Sequence, residues 1–321
     1  MQAAWRERSE QGGHMTTGAT CAIGVDVGGT KIEAIVLDAA GHERWRERVA
    51  SPRGDYDASL QAIVALVGRA RQAAGAACTI GIGAPGNVTE RGVMKNGNST
   101  QLNGRPLPRD LEALLGQPVR LTNDANCLAL SEATDGAGKD AEVVFAAILG
   151  TGTGAGIAVR ARVLNGPNGL AGEWGHNPLP WAEPDELRVR CFCGQRGCIE
   201  TLVSGTGLAR DHAHVNGGAL RSEDVVQGAA HGDAACEATM QRWESRLARA
   251  LAHVINLLDP DVIVIGGGLS RIERLYANVP PLLPRWVFAG GVRDEPVRTR
   301  IVPSAHGDSS GVRGAAWLWR T

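Results

Sequence analysis

The sequence predicts an α/β protein made of two similar halves. A strand, a Gly/Thr turn and a second strand open the chain, and the same pattern returns about 125 residues later. Runs with helical spacing separate the other short apolar strands. In the first half, Ile23-Gly24-Val25-Asp26-Val27 reads as a strand, Gly28-Gly29-Thr30 as a turn, and residues 32–37 as the returning strand. Residues 45–49 form a third strand. Leu60, Ile63, Val64 and Val67 give residues 59–74 one apolar helical face. Residues 79–83 are a short buried strand ended by Ala84-Pro85-Gly86, which cannot continue a sheet. A helix over 109–115 and a strand over 119–122 lead into Asn123-Asp124.

The second half opens with an apolar strand at 143–149, a Gly/Thr turn spanning 150–156, and a strand over 157–163. Met240, Trp243, Leu247, Leu251, Val254 and Leu258 mark a long helix closed by Asp259-Pro260. Residues 261–265 form a buried strand running into Gly266-Gly267-Gly268, and residues 309–319 a short terminal helix that packs Trp317 and Trp319 and returns to the first half. The expected division is a disordered extension over 1–20, an N-terminal α/β domain over 21–124 joined by the helix at about 309–321, and a C-terminal α/β domain over 125–308.

Composition narrows the function. The 321 residues carry 33 basic and 34 acidic side chains, so there is no basic footprint for nucleic acid. No apolar run is long enough to span a bilayer. Cys21, Cys78, Cys127 and Cys236 are scattered singly and read as small buried hydrophobes, with no disulfide framework evident. A reducing cytoplasm follows as the expected location. Residues 1–20 lack the apolar core of a signal peptide.

The remaining cysteines carry the sharpest signal. Cys191, Cys193 and Cys198 fall within eight residues, downstream of Gly172-Glu173-Trp174-Gly175-His176 and next to Glu200. Three thiolates and one imidazole close a tetrahedral zinc site, and four protein ligands leave no open position for catalysis. The zinc is therefore expected to be structural. His176 is the nearest imidazole, with His212 and His214 as alternatives.

Asp26 stands at a strand end before Gly28, Gly29, Thr30 and Lys31. Backbone N–H groups in such a turn can cradle phosphate oxygens, and Asp26 can hold Mg²⁺ through water. Alone, the turn reads better as an ordinary glycine hairpin. A second turn, Gly150, Thr151, Gly152, Thr153 and Gly154, makes a polyphosphate clamp the better account. Neither turn fits the P-loop or the dinucleotide fingerprint. Gly266-Gly267-Gly268 allows close backbone approach to a flat ligand such as adenine, or is a plain turn. Asp124 at a strand end can accept the proton of an attacking hydroxyl, although from spacing alone Asn123-Asp124 better suits a helix cap.

Together these motifs resemble the ROK family (repressors, open reading frames and kinases) from about residue 23 to 319. The long composite of the 172–176 and 191–200 segments is the most specific part of the likeness. The resemblance implies a two-domain, actin-like (RNase H-type) fold with sugar and ATP in an interdomain cleft. It implies Asp124 as the general base and Gly86, Asn98, Asn123, Glu173, His176 and Glu200 beside the sugar, with His176 also on zinc. Gly266, Gly267 and Gly268 would border the adenosine. ATP, Mg²⁺ and structural Zn²⁺ are the implied cofactors, and a homodimer is the implied assembly, with no nucleic-acid or membrane partner. Within the family, Asn96-Gly97-Asn98-Ser99-Thr100-Gln101-Leu102-Asn103-Gly104 is similar to the bacterial fructokinases. So are Asn177-Pro178-Leu179-Pro180-Trp181 and His306-Gly307-Asp308-Ser309-Ser310-Gly311. Kinases for N-acetylglucosamine share the cysteine and 172–176 elements but differ around the Asn98 loop, and a kinase for N-acetylglucosamine, mannose or glucose is the alternative. A sugar-responsive repressor is disfavoured, because about twenty residues before the first strand are too few for a helix-turn-helix module.

Overall fold

The structure, a computed structural model, describes residues 20–289 and 295–320. The extension expected over 1–20 lies outside the described residues except for Thr20, as does residue 321 at the end of the expected terminal helix.

The protein is a mixed α/β molecule whose two five-stranded sheets follow one plan. The first contains β1 (Cys21–Val27), β2 (Lys31–Asp38) and β3 (Glu43–Ala50). Helix α1 (Tyr56–Ala74) then leads to β4 (Cys78–Ala84). A small hairpin, β5 (Asn87–Val88) and β6 (Met94–Lys95), and helix α2 (Leu107–Leu115) precede β7 (Arg120–Asn123). The order is β3-β2-β1-β4-β7. β2 is antiparallel to β1 and β3, whereas β4 is parallel to both β1 and β7. Helix α3 (Asp124–Thr134) leads to the second sheet, which contains β8 (Val143–Leu149), β9 (Thr153–Val159) and β10 (Arg162–Val163). Helices α4 (Glu200–Val203), α5 (Gly205–Asn216), α6 (Ser222–Ala230) and α7 (Ala234–Leu258) precede β11 (Val262–Gly266). Helix α8 (Glu273–Asn278), β12 (Arg300–Pro303) and α9 (Ser310–Trp317) end the chain. The order β10-β9-β8-β11-β12, with two antiparallel and two parallel pairings, repeats the first sheet.

The chain forms two compact units: one holds the residues up to Cys127 and from Gly311 onward, the other Leu128–Ser310. The core of the first is built by Ile23, Val25, Ile32, Ile80 and Ile82 of the sheet against Leu60, Ile63, Leu66 and Val67 of α1. In the second, Met240, Trp243, Leu247 and Leu251 of α7 pack with Phe145, Ile263 and Ile265.

Several elements differ from expectation for identifiable reasons. Helix α1 begins at Tyr56, before residue 59, because Asp55 caps it by accepting a hydrogen bond from the Ala58 N–H at 2.9 Å. The second Gly/Thr turn is shorter than 150–156. Thr153 to Gly156 already pair with β8, and the strand expected to run to 163 breaks at Arg160-Ala161, both at positive φ. Helices α5 and α6 were not anticipated, since Gly205, Gly207 and Gly228 weaken their helical signal. Cys21 and Cys78 are not isolated hydrophobes. Parallel pairing sets them opposite each other at the start of β1 and β4, Cα atoms 4.7 Å apart, in a disulfide.

Helix α9 closes the first unit. Trp317 is buried, the Trp319 indole N–H donates to the Ile80 carbonyl at 2.7 Å, and the Arg120 guanidinium lies 4.3 Å over the Trp319 ring. Gly314 rests on the backbone of Cys127, where a Cβ would come within 1.7 Å of the carbonyl oxygen. Gly314→Ala is expected to cost about 2–4 kcal/mol of stability. Gly68→Ala, in mid-α1 with open space at its Cβ position, is expected to gain about 0.5–1 kcal/mol. Urea denaturation of the two variants measures both.

Candidate active site and cysteine cluster

Parallel strands deliver their C-terminal ends to one edge of a sheet, where ligands bind in α/β folds. In the first unit that edge collects the end of β1 with Asp26, the Ala84-Pro85-Gly86 loop after β4, and Asn123-Asp124 at the junction of β7 and α3. The first Gly/Thr turn is a tight hairpin between antiparallel β1 and β2, closed by the Gly28 N–H donating to the Lys31 carbonyl at 2.9 Å. The hairpin reading of its backbone thus holds. Its position beside Asp26 is what makes it a candidate phosphate turn.

Asp26 is partly buried. Burial first, then the neighbouring charges of Asp124 and Glu33, push its carboxyl up to about 7, against the opposing influence of Lys31 and Arg48. Glu33 is itself buried and paired with Arg46 at 2.9 Å and Arg48 at 2.7 Å. The buried Cys127 thiol is raised by desolvation and by the carboxylates of Asp26 and Asp124. Cys127 was read only as a scattered apolar residue, and the sequence carries no signal for its place under these two acids. Crowded carboxylates with hard oxygen donors fit a hydrated Mg²⁺.

Asn123 and Asp124 share the cap of α3: both Asn123 Oδ1 and Asp124 Oδ1 accept from the Ala125 N–H, at 2.8 and 2.9 Å. Asn123 Nδ2 donates to the Gly86 carbonyl at 3.2 Å. Gly86 has φ 87°, and a Cβ there would meet the Lys95 oxygen at 2.4 Å, so only glycine lets this loop lie on the next. That next loop is fixed by Asn103, whose Oδ1 accepts from the Gly97 N–H at 2.9 Å and whose Nδ2 donates to the Gly97 carbonyl at 2.8 Å. Asn98 follows on this braced loop with its side chain exposed. Buried beside it, the Ser99 hydroxyl has no partner among the described residues. Asp26, Gly86, Asn98, Asn123 and Asp124 are therefore assembled by one unit.

The second unit builds its own cluster on β9. The short 3₁₀ helix Glu173–His176 lies against that strand. A Cβ at Gly172 would strike the Ala155 oxygen at 2.1 Å, and one at Gly175 the Thr153 oxygen at 2.2 Å. Glu200, first residue of α4, accepts the Thr153 N–H at 3.0 Å, so it braces the second Gly/Thr turn as well as standing near the cysteines. The Gly150 carbonyl accepts from the Gly205 N–H at 2.8 Å, and Thr151 accepts from the Thr206 hydroxyl at 2.9 Å. The brace from Glu200 to Thr153 had no signal in sequence, because 47 residues separate the two. Gly266, at the end of β11, is buried, and Gly267 and Gly268 are exposed.

The ligand atoms of His176, Cys191, Cys193 and Cys198 all lie within 4.8 Å of one another. Cys193 and Cys198 sulfurs are 3.7 Å apart, and Cys191 Sγ is 3.6 Å from His176 Nδ1. A tetrahedral zinc, with Zn–S of about 2.3 Å, requires S···S separations of about 3.8 Å and S···N of about 3.5 Å. The donor set fits that ion. His212 is engaged elsewhere, its Nδ1 3.1 Å from the Thr239 hydroxyl, and His214 lies outside the cluster. Burial and the adjacent thiols push Cys198 up to about 12, while the Gln195 backbone N–H lowers Cys193. Three thiols so close cannot all ionise without a cation between them.

Residues 22–321 match the model of the ROK family. The N-acetyl-D-glucosamine kinase of Pectobacterium atrosepticum is 39% identical over 301 residues, covering 92% of this chain and 97% of that protein. Among solved structures, the ROK hexokinase from Thermus thermophilus superposes with TM-score 0.81 at 29% identity, over 93% of this chain and 97% of the other. A ROK family glucokinase from Streptomyces griseus, in complex with glucose and AMPPNP, gives 0.75 at 30% identity, over 94% and 99%. The match extends to the actin-like two-domain fold. Among the described residues, no helix is long and apolar enough to cross a membrane.

The raised carboxyl of Asp26 has a definite sign. Its folded pKa lies above the unfolded value, so its stabilising contribution is complete below about pH 4 and is lost as pH rises through about 7. In the ligand- and metal-free protein, Asp26→Asn is expected to raise stability at pH 8 by on the order of 1–3 kcal/mol and to change little at pH 4. Urea melts at the two pH values measure this. For the cysteine cluster, metal analysis is expected to find one zinc per chain. Chelation or Cys193→Ser is expected to lower Tm by about 5 °C or more.

Proposed function

The chain belongs to the ROK family, and from that premise we propose that it transfers the γ-phosphoryl group of ATP to the C6 hydroxyl of D-fructose. The observation that supports this most is the edge of the first sheet, where Asp124 stands beside the braced Gly86 and Asn98 loops and shares its neighbourhood with Asp26. In this reading Asp124 accepts the C6 proton as the hydroxyl oxygen attacks phosphorus. The new O–P bond forms as the bond to the β-phosphate oxygen breaks, and ADP leaves with that electron pair. Asp124 lies in the first turn of α3, where the helix dipole favours a carboxylate.

Asn98, Asn123, Glu173, His176 and Glu200 take the sugar hydroxyls in this proposal, with Gly86 giving the sugar loop room. Gly28, Gly29, Thr30, Lys31 and Gly150 to Gly154 offer backbone and side-chain donors to the phosphates. Gly266, Gly267 and Gly268 border the adenosine. Asp26 is the residue to hold hydrated Mg²⁺, which when bound neutralises phosphate charge. His176 and the three cysteines would hold zinc, which fixes the loop that carries His176 and leads into Glu200. A homodimer is part of the same proposal.

Fructose is favoured by the resemblance of three segments to fructokinases, of which the 96–104 loop is braced at Gly97 by Asn103. Trp181 in the second segment is at φ 49° with its ring stacked 5.3 Å from Trp286. The second reading, phosphorylation of N-acetyl-D-glucosamine, is favoured by the curated relatives at 39% identity.

ADP release measured across fructose, mannose, glucose and N-acetylglucosamine is expected to give the highest kcat/KM with fructose. A higher value with N-acetylglucosamine would establish the second reading. Asp124→Asn is expected to lower kcat by about 10²–10⁴ while leaving KM for sugar within about threefold. Near-normal turnover would remove Asp124 from the base role.

A further inference from the structure

Ser99 follows Asn98 in the chain, is only 6% exposed, and has a hydroxyl with no hydrogen-bond partner among the described residues. A buried hydroxyl left unpaired is costly, and a native structure keeps such a group for a reason. A local use was available. Ser99 immediately precedes the 3₁₀ turn Thr100–Leu102, where serine ordinarily caps the first free N–H groups, yet its side chain makes no cap bond. Its carbonyl accepts from the Leu102 N–H at 3.0 Å, so the backbone is engaged in the turn and the hydroxyl is not. On the other side Asn103 clamps both polar groups of Gly97, where a Cβ would come within 2.7 Å of the Pro85 oxygen. The segment carrying Ser99 is thus fixed at both ends.

The hydroxyl stands against the first Gly/Thr turn, in the same unit. A Cβ built on Gly29 would meet Ser99 Oγ at 3.9 Å, and no other atom of the described residues beyond the adjoining turn lies within 4 Å of it. That side of the glycine is otherwise open, and Gly29, Thr30 and Asn98 are all exposed. Ser99 therefore lies where the turn proposed for phosphate meets the loop proposed for sugar. Two further buried hydroxyls lack a partner among the described residues. Ser131 lies inside α3, but Thr153 Oγ1 belongs to the second Gly/Thr turn. Each Gly/Thr turn thus has an idle, buried hydroxyl beside it or within it. A hydroxyl donates well to an anionic oxygen, and a phosphate seated on the turn supplies one.

We propose, on the reading of Gly28-Gly29-Thr30 as a phosphate turn, that the Ser99 hydroxyl donates a hydrogen bond to the γ-phosphoryl group of ATP. The γ position follows from Asn98, because the phosphate nearest the sugar loop is the one that is transferred. In the free protein the hydroxyl is idle, and the segment that carries it is held in place by Asn103 and Leu102. The ligand provides the acceptor that the fold withholds.

Calorimetric titration of AMPPNP and of ADP, with Mg²⁺ and without sugar, tests this on the full chain. Ser99→Ala is expected to weaken AMPPNP binding about 10–100-fold and to leave ADP within about threefold. In ligand-free melts the same variant is expected to keep its Tm or gain up to about 4 °C, because an unpaired buried group has been removed. A hydroxyl with a structural partner would give the opposite sign. Undiminished AMPPNP binding in Ser99→Ala, an equal loss with ADP, or a Tm lowered by about 3 °C or more overturns the Ser99 assignment alone. Absence of AMPPNP binding to the wild-type chain overturns both that assignment and the phosphate turn on which it rests.

Discussion

Parallel pairing of β1, β4 and β7 is the constraint on which the chemistry of the first unit depends. Three strands running the same way must end at the same edge, and there they bring together Asp26, the loop at Gly86, and Asn123-Asp124. The same pairing sets Cys21 against Cys78 at the opposite edge, where the disulfide ties the strand starts. It brings Asp124 to the edge where Asp26 ends, and the antiparallel β1–β2 pairing adds Glu33 opposite Asp26. Burial first, then the charges of Asp124 and Glu33, raises the Asp26 carboxyl to about 7.

The second unit repeats the strand plan but places its insertions differently. Between β10 and β11 it carries the Glu173–His176 turn, the cysteine loop and five helical segments, α4 to α7 among them. Cys191 and Cys198 are buried, whereas Phe192 is 83% exposed with its ring centroid 5.1 Å from that of His176. Two buried carboxylates serve elsewhere in the unit. Glu132 collects the hydroxyls of Ser304 and Ser310 and the N–H groups of Ala137 and Ala305. Glu186 collects two arginines and is held at about 2 by them despite its burial.

Much of this was legible in sequence because it is local. Strand–turn–strand units reveal themselves by apolar alternation around glycines. The cysteine spacing points to a donor set that could hold a metal, because coordination needs particular donors in a short span. The long helix α7 shows itself by periodicity, and the resemblance to a family followed from motifs of contiguous residues. The elements that escaped, α5, α6 and the start of β9, all contain glycines, which read as loops when the close approach that requires them is not visible.

By itself, then, the sequence determined the two α/β halves, the Gly/Thr turns and the identity of the cysteine donors, since each depends on residues near in the chain. Only the tertiary structure decided that His176 completes the donor set in place of His212 or His214, and that Glu200 braces Thr153. It alone put Cys127 beneath two acids and joined Cys21 to Cys78. Those outcomes depend on which strands and helices lie side by side, and residues far apart in the chain carry no mutual pattern until the sheets bring them into contact.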